Sequence, residues 1–458
     1  MGVRDVRESK STDIEIPAGY RMTELGPLPE EWRVVKLEEV FSVVPKKKRE
    51  RIVEDNTAYR LLTVRLYAKG VVLREVKEGR DIGTKKLYEV KEGDFVFSKI
   101  DARNGAWGFV SKDLSGALVS GDFPILSLSR EIADEDFITF SLSRPSIWKV
   151  LRNIAVGTTN RRRVQPKEFL KVLSIPLPPL PEQRAIAYVL RAVQEAKEKT
   201  ENVIKALKEL KKSLMKHLFT YGPVPLDEVD KVKLKETEVG KIPEHWEVVR
   251  LGEVVKIGHK GVKLSGDSIP FIPMSLIPDE FMFIERWEMR RREDVRSGVL
   301  VKEGDLLVAR ITPSFENGKQ GIVKSIPGEW GYATTEVFPI WTDEKSPLNL
   351  FYLAYYLKYP KVRQNLSGKM EGTTGRQRLP KSLLISLPIP LPPLHEQKRI
   401  AEILKAVDDK IEAERKRAEA LDTLFKTLLH DLMTARRRLP VEFIKEFQST
   451  RKSERPSQ

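Results

Sequence analysis

The chain has 458 residues, with 81 Lys and Arg against 66 Asp and Glu for a net charge of +15, and a pI near 9.5. It contains no cysteine, which excludes a disulfide framework, a thiolate nucleophile and Cys-ligated zinc, and suits a reducing compartment. The basic balance fits a nucleic-acid binder and equally a plain basic surface.

Residues 1–19 mix charge, Ser and Thr with little apolar content, and are expected to form a loose arm. The opening Met-Gly-Val-Arg-Asp-Val-Arg is too charged for a signal sequence, and the longest apolar stretch, 383–394, is broken by prolines. No bilayer span is therefore expected, and a cytoplasmic location is. From Tyr20 the pattern turns globular. Thr23-Glu-Leu-Gly-Pro-Leu-Pro-Glu-Glu-Trp32 leads into Arg-Val-Val-Lys-Leu, whose β-branched pair predicts a strand.

The run Lys46, Lys47, Lys48 and Arg49 could cross a phosphate backbone, or could be a solvated turn. Next, Val90-Lys-Glu-Gly-Asp-Phe-Val-Phe-Ser-Lys99 predicts a Gly-Asp turn and an apolar strand ending on a cation, and Asn104-Gly predicts a tight hairpin turn. Lys99, Arg103 and Asn104 would sit where a strand end can present side chains to base edges, Arg to guanine and Asn to adenine. Apolar spacing predicts a helix over 137–151. The segment Gly157-Thr-Thr-Asn-Arg161-Arg-Arg163 makes a basic turn, with Arg161 and Arg163 as candidate DNA contacts or as pins for the domain.

The stretch 176–218 follows. It opens Pro-Leu-Pro-Pro-Leu-Pro-Glu-Gln, an extended strap that aims the next helix. That helix carries Ile186, Val189, Leu190, Val193, Val203, Ile204, Leu207, Leu210, Leu214 and Leu218 at threes and fours, a stripe for packing against another helix. Gly222-Pro then stops it.

The chain repeats from there. The stretch 390–432 opens Pro-Leu-Pro-Pro-Leu-His-Glu-Gln at an offset of 214 residues (390 − 176) and keeps its stripe in Ile400, Ile403, Leu404, Val407, Ile411, Leu421, Leu424, Leu428 and Leu432. Thr237 to Trp246, Arg310 after Val301-Lys-Glu-Gly-Asp, Asn317-Gly, a helical pattern over 350–366, and Gly372-Thr-Thr-Gly-Arg376-Gln-Arg378 repeat the other elements in order. Arg310, Asn317, Arg376 and Arg378 thereby join the candidate DNA contacts. Each helix would have little to bury its stripe against except the other.

Catalytic motifs are missing from this pattern. There is no glycine-rich cofactor loop, no Asn- or Asp-Pro-Pro-aromatic motif, no Gly-x-x-x-x-Gly-Lys-Ser/Thr and no His-Glu-x-x-His, and the five histidines fall in no metal spacing. A non-catalytic chain without bound cofactor or metal is expected. A coiled-coil scaffold and an RNA-binding adaptor remain alternatives to a duplex reader.

Thr-Glu-x-Gly-x-x-Pro-Glu-x-Trp, Gly-Thr-Thr-x-Arg and Pro-Leu-Pro-Pro-Leu-x-Glu-Gln, each present twice, resemble the DNA specificity subunit of type I restriction-modification systems. The resemblance implies an α+β fold of two tandem mixed α/β target recognition domains, joined by two long antiparallel coiled-coil helices in a pseudo-twofold repeat. On this reading 1–19 is the arm, 20–168 the first recognition domain, 169–222 the central strap and helix, 223–382 the second recognition domain, 383–439 the distal strap and helix, and 440–458 a tail. It further implies that the chain reads a bipartite, asymmetric site in double-stranded DNA. Two methylation subunits and the restriction subunits would dock on it, with S-adenosylmethionine bound by the methylation subunits, which modify adenine.

If the helices set the spacing of the two half-sites, inserting four residues near Thr200 adds about 6 Å and should lengthen the unread gap by one or two base pairs. Sequencing the methylated motif checks this, and an unchanged gap removes the ruler role.

Overall fold

The computed structural model describes residues 16–156, 162–262, 264–373 and 375–448. The chain divides into two compact units, one built from residues up to Glu198 together with those from Glu419 onward, the other from Lys199–Ala418. Neither follows the boundaries of the sequence repeat. The first long helix, Leu180–Tyr221, and the second, Leu394–Met433, each give one half to each unit.

In the first unit a four-stranded sheet runs in the order Trp107–Phe109, Asp94–Phe97, Ile125–Leu128, Phe41–Val43. A five-stranded sheet contains Ala58–Val64 between its antiparallel partner Val71–Glu78 and the parallel strand Leu118–Val119. The second unit repeats this logic. Leu306–Ala309 lies between Gln320–Val323 and Val337–Trp341, and Ser268–Ile272 pairs antiparallel with Glu288–Arg291 and parallel with Trp330–Ala333.

The proline-rich strap is a strand in both units. Ser174–Leu177 pairs antiparallel with Arg33–Lys36, and Pro388–Leu391 with Glu247–Arg250. Two-stranded ladders of this kind leave one edge open, so Pro176 and Pro390 sit where a missing N–H costs no ladder bond.

The Glu-Gln pair after each strap locks the helix start to its domain. Glu182 is buried and accepts the Trp32 indole N–H at 3.0 Å, and Glu396 accepts that of Trp246 at 2.9 Å. Gln183 donates to the carbonyls of Ile132 and Pro178 and accepts from the Asp134 N–H. Gln397 donates to Pro347 and Pro392 and accepts from Asn349. Asp134 and Asn349 in turn cap the next helices, Glu135–Leu142 and Leu350–Lys358. The helical patterns over 137–151 and 350–366 each break in two, because Pro145 and Pro360 cannot continue the preceding helix and instead start Pro145–Ile154 and Pro360–Ser367.

Within each unit the helix halves run antiparallel. In the first, Ile186 and Leu190 share a core with Trp32, Phe137, Leu429, Leu432 and Met433, and Lys197 pairs with Asp422. In the second, Met215, Leu218 and Phe219 share a core with Trp246, Tyr352, Ile400 and Leu404, while Lys211 pairs with Asp408. Val189, Leu214, Ile403 and Leu428 flank these cores half-buried. Val193, Leu207, Val407 and Leu421 are likewise half-buried.

Val203, Leu210 and Leu424 depart from the predicted stripe, being 43%, 48% and 44% exposed. Leu210 and Leu424 occupy the same place in the repeat. A stripe of mixed threes and fours drifts around a straight helix, and the inward positions here pass to Lys211 with Asp408 and to half-buried Phe425 beside Phe140. The middle of the helices buries polar side chains, Thr200 and Glu414. Glu414 is ion-paired with Lys410. Beyond Pro440, the residues expected as a tail form a short helix, Val441–Lys445, where Phe443 and the following Phe447 contact Tyr188.

Replacing Gln397 with Ala strands up to three backbone groups and should cost about 3 kcal/mol in urea unfolding followed by tryptophan fluorescence. Gln364→Ala, at an exposed helix position, should stay within about 0.5 kcal/mol.

Candidate nucleic-acid interface

One constellation recurs at the end of a central strand in each unit. In the first, Lys99 follows the strand Asp94–Phe97; its N–H donates to the Asp122 carbonyl at 2.9 Å and its own carbonyl accepts from Val164. In the second, Arg310 follows Leu306–Ala309; its N–H donates to the Glu336 carbonyl and its carbonyl accepts from Leu379. The closing turns deliver an arginine to the same acid. Arg163 pairs with Asp122 at 3.3 Å, and Arg378 makes a bidentate pair with Glu336 at 2.6 to 3.1 Å. The Arg378 hydrogen bonds hold the Glu336 carboxyl below its ordinary range, and Glu336 raises Arg378.

Three cations gather in the first constellation. Lys46 and Lys99 both donate to the Gly121 carbonyl, at 3.2 and 3.0 Å, and Lys46 also lies over the Tyr88 ring. Burial lowers the Lys99 amine, with Lys46 and Arg163 adding repulsion against the opposing pull of Asp122. In the second constellation Arg310 stacks on Phe338 at 4.7 Å, and its Nε is buried without a hydrogen-bond partner.

A second surface lies on the connection between Asp94–Phe97 and Trp107–Phe109. Asn104-Gly is no two-residue hairpin turn there. Residues 98–106 form a longer link around the 3-10 turn Ala102–Asn104, because Ala102 bonds back to Ser98 and Gly105 closes the turn at φ +75°. Likewise Asn317-Gly ends the link 310–319 between Leu306–Ala309 and Gln320–Val323.

The tip between Ala58–Val64 and Val71–Glu78 rests on the first link. Tyr67 and Ala68 donate to the carbonyls of Asn104 and Gly105 at 2.8 and 2.7 Å. Glycine is required underneath, since a Cβ on Gly105 would meet the Trp148 ring at 2.9 Å and the Ala68 nitrogen at 3.1 Å. Tyr67 and Ala68 both have positive φ, +62° and +55°, a strained conformation for residues with a Cβ. Tyr67 is 59% exposed, with Arg65 and Lys69 exposed beside it.

The model of the type I restriction modification DNA specificity domain matches residues 29–209 and again 243–423, most of the chain. The chain belongs to that family. It is 27% identical over 432 residues to the type I restriction enzyme MjaVIII specificity subunit of Methanocaldococcus jannaschii, covering 90% of this chain and 94% of that protein. It is 31% identical over 215 residues to the Escherichia coli EcoAI specificity subunit, covering 45% of this chain and 36% of that one. The structure of a type I restriction-modification system S subunit from M. genitalium shares the fold, with a TM-score of 0.54 at 15% identity over 88% of this chain and 96% of that one.

Against this specificity-domain frame the charged residues separate. Arg49 faces inward rather than outward, paired with Asp94 at 3.0 Å with both side chains largely buried. Asp94 also accepts the Lys91 N–H and closes the Gly-Asp turn, a role that Asp305 plays with the Lys302 N–H and His259 at 2.8 Å. Burial raises both carboxyls, Asp305 to about 6, while their basic partners oppose the shift. Lys47, Lys48, Asn317 and Arg376 are exposed. Arg161 lies outside the described residues. Tyr67, Arg152 and Arg162 are further exposed side chains that sequence reasoning did not single out; the Arg-x-Tyr-Ala-Lys-Gly run holding Tyr67 carried no signal beyond a turn. Among the described residues no group of three or more His, Asp and Glu is placed to hold a metal, and no helix is long and apolar enough to cross a membrane.

Arg49→Ala leaves Asp94 buried and unpaired, so it should cost about 3 kcal/mol of stability in urea unfolding. The same variant, at temperatures where it stays folded, should leave the salt dependence of DNA binding unchanged in an anisotropy titration.

Proposed function

We propose that the chain is the non-catalytic specificity subunit of a type I restriction-modification complex and reads a bipartite, asymmetric site in duplex DNA, one half per recognition domain. The observation that carries this reading is the constellation built twice on one backbone plan, Lys99, Asp122 and Arg163 in one unit and Arg310, Glu336 and Arg378 in the other. The neighbours differ. Lys46 joins the first and Phe338 the second, so two similar scaffolds present different chemistry and the half-sites should differ in sequence.

On this reading two methylation subunits and the restriction subunits assemble on the chain, and the exposed helix leucines at equivalent repeat positions, Leu210 and Leu424, suit docking of paired subunits. S-adenosylmethionine binds to the methylation subunits, adenine is the modified base, and the complex works in the cytoplasm. The chain's own residues bind and position DNA by phosphate and base contacts.

Co-expression with the cognate methylation subunit, followed by sequencing of methylated bases, tests the proposal. The expected motif has two unequal specified blocks around a fixed unread gap. A continuous palindrome, or no motif, would overturn it.

A further inference from the structure

Arg103, Arg152 and Arg162 line one cleft of about 310 Å³ together with Asn104. They come from three separate places. Arg103 stands on the 3-10 turn Ala102–Asn104, Arg152 in the last turn of the helix Pro145–Ile154, and Arg162 just before the bridge that joins Val156 to Arg163. The turn and the helix are fixed against each other through Trp148, whose ring meets the turn at Gly105 and whose indole N–H is bonded to the Leu142 carbonyl. None of the three guanidinium groups has a hydrogen-bond or ion-pair partner among the described residues.

The arginines at the neighbouring constellations, by contrast, each meet an acid, Arg163 with Asp122, Arg378 with Glu336 and Arg49 with Asp94. Three like charges gathered without a counter-charge repel one another, and an anion would remove that cost. The cleft also adjoins the strained tip, because the Tyr67 N–H is bonded to Asn104. In the second domain the positions matching the three arginines are Glu316 before Asn317-Gly, Ser367 at the end of Pro360–Ser367, and Gln377 before Arg378. No cation stands at any of them.

We infer that Arg103, Arg152 and Arg162 form a phosphate-binding clamp, present only in the first recognition domain, that grips a DNA backbone phosphodiester and seats the strand beside Tyr67. The inference rests on the DNA-reading function proposed above. It makes the two domains unequal in mechanism, the first holding the backbone through the clamp and the second lacking it. Planar guanidinium forks suit the paired oxygens of a phosphodiester, and each such hydrogen bond is charge-assisted.

The test uses the full-length chain and labelled duplex DNA, with binding followed by anisotropy over a range of salt concentrations. The triple variant R103A/R152A/R162A should bind roughly tenfold or more weakly at low salt, and the slope of log K against log salt should become shallower by about 1, as expected when one phosphate is no longer neutralised. The triple Arg→Lys variant keeps the charge and should restore the slope while recovering only part of the affinity. Equal slopes and affinities for the wild type and the alanine variant would overturn the clamp. Calorimetric titration with inorganic phosphate separates the sources. Phosphate binding that the alanine variant abolishes, alongside an unchanged DNA slope, would mean a free-phosphate site and would overturn the DNA role. A wild-type chain that binds no duplex at all would sink the proposed function instead, and the clamp's role on DNA with it. Thermal melting of the variants separates weakened binding from unfolding, and the lysine variant then supplies the comparison in a folded protein.

Discussion

Each long helix begins with a carboxylate and a buried amide that are hydrogen-bonded into its own domain, and most of the architecture follows from that pair. Glu182 and Glu396 receive an indole N–H from the tryptophan that precedes the strand paired with the strap. Gln183 and Gln397 tie the strap, a neighbouring loop and a capping residue together with three hydrogen bonds each. Buried polar groups of this kind are costly unless every one is satisfied. Satisfied, they fix the direction in which the helix leaves the domain. In the first unit Arg438, from beyond the second helix, adds a further ion pair to Glu182 and reaches Glu31, while in the second unit His245 contacts Glu396.

The helices gain little from an ideal seam. Their apolar contacts concentrate at the two ends, near Leu190 with Leu429 and near Leu218 with Leu404, whereas the middle buries Thr200 and Glu414. Polar residues in such a seam lower stability but restrict register.

The charged surface divides into residues that build the domain and residues that remain available to a ligand. Asp94 and Asp305 close the same Gly-Asp turn with different basic partners, Arg49 and His259. The equivalence explains why a residue in a basic run serves the interior. Lys47 and Lys48 beside it stay exposed. Arg163 and Arg378 are pinned by acids, which is the anchoring role the sequence offered, and they remain partly accessible for the DNA contact proposed above.

Much was legible in the sequence because it is local or repeated. The 214-residue offset (390 − 176), the strap and the helical stripe follow from residue order alone, and together they identify two equivalent domains and two long helices. Position within the fold was not legible. Leu210 and Leu424 satisfy the stripe on paper but are exposed, since the inward face of a helix depends on its partner. Asn104-Gly reads as a hairpin turn, whereas long-range bonds from Tyr67 and Ala68 make it the seat of another loop. Residues 67, 103, 152 and 162 lie far apart in the chain, and no periodicity links them. Only tertiary packing, with glycine at 105 allowing close approach of Trp148 and Ala68, brings three arginines with no partner among the described residues to one cleft beside an exposed tyrosine.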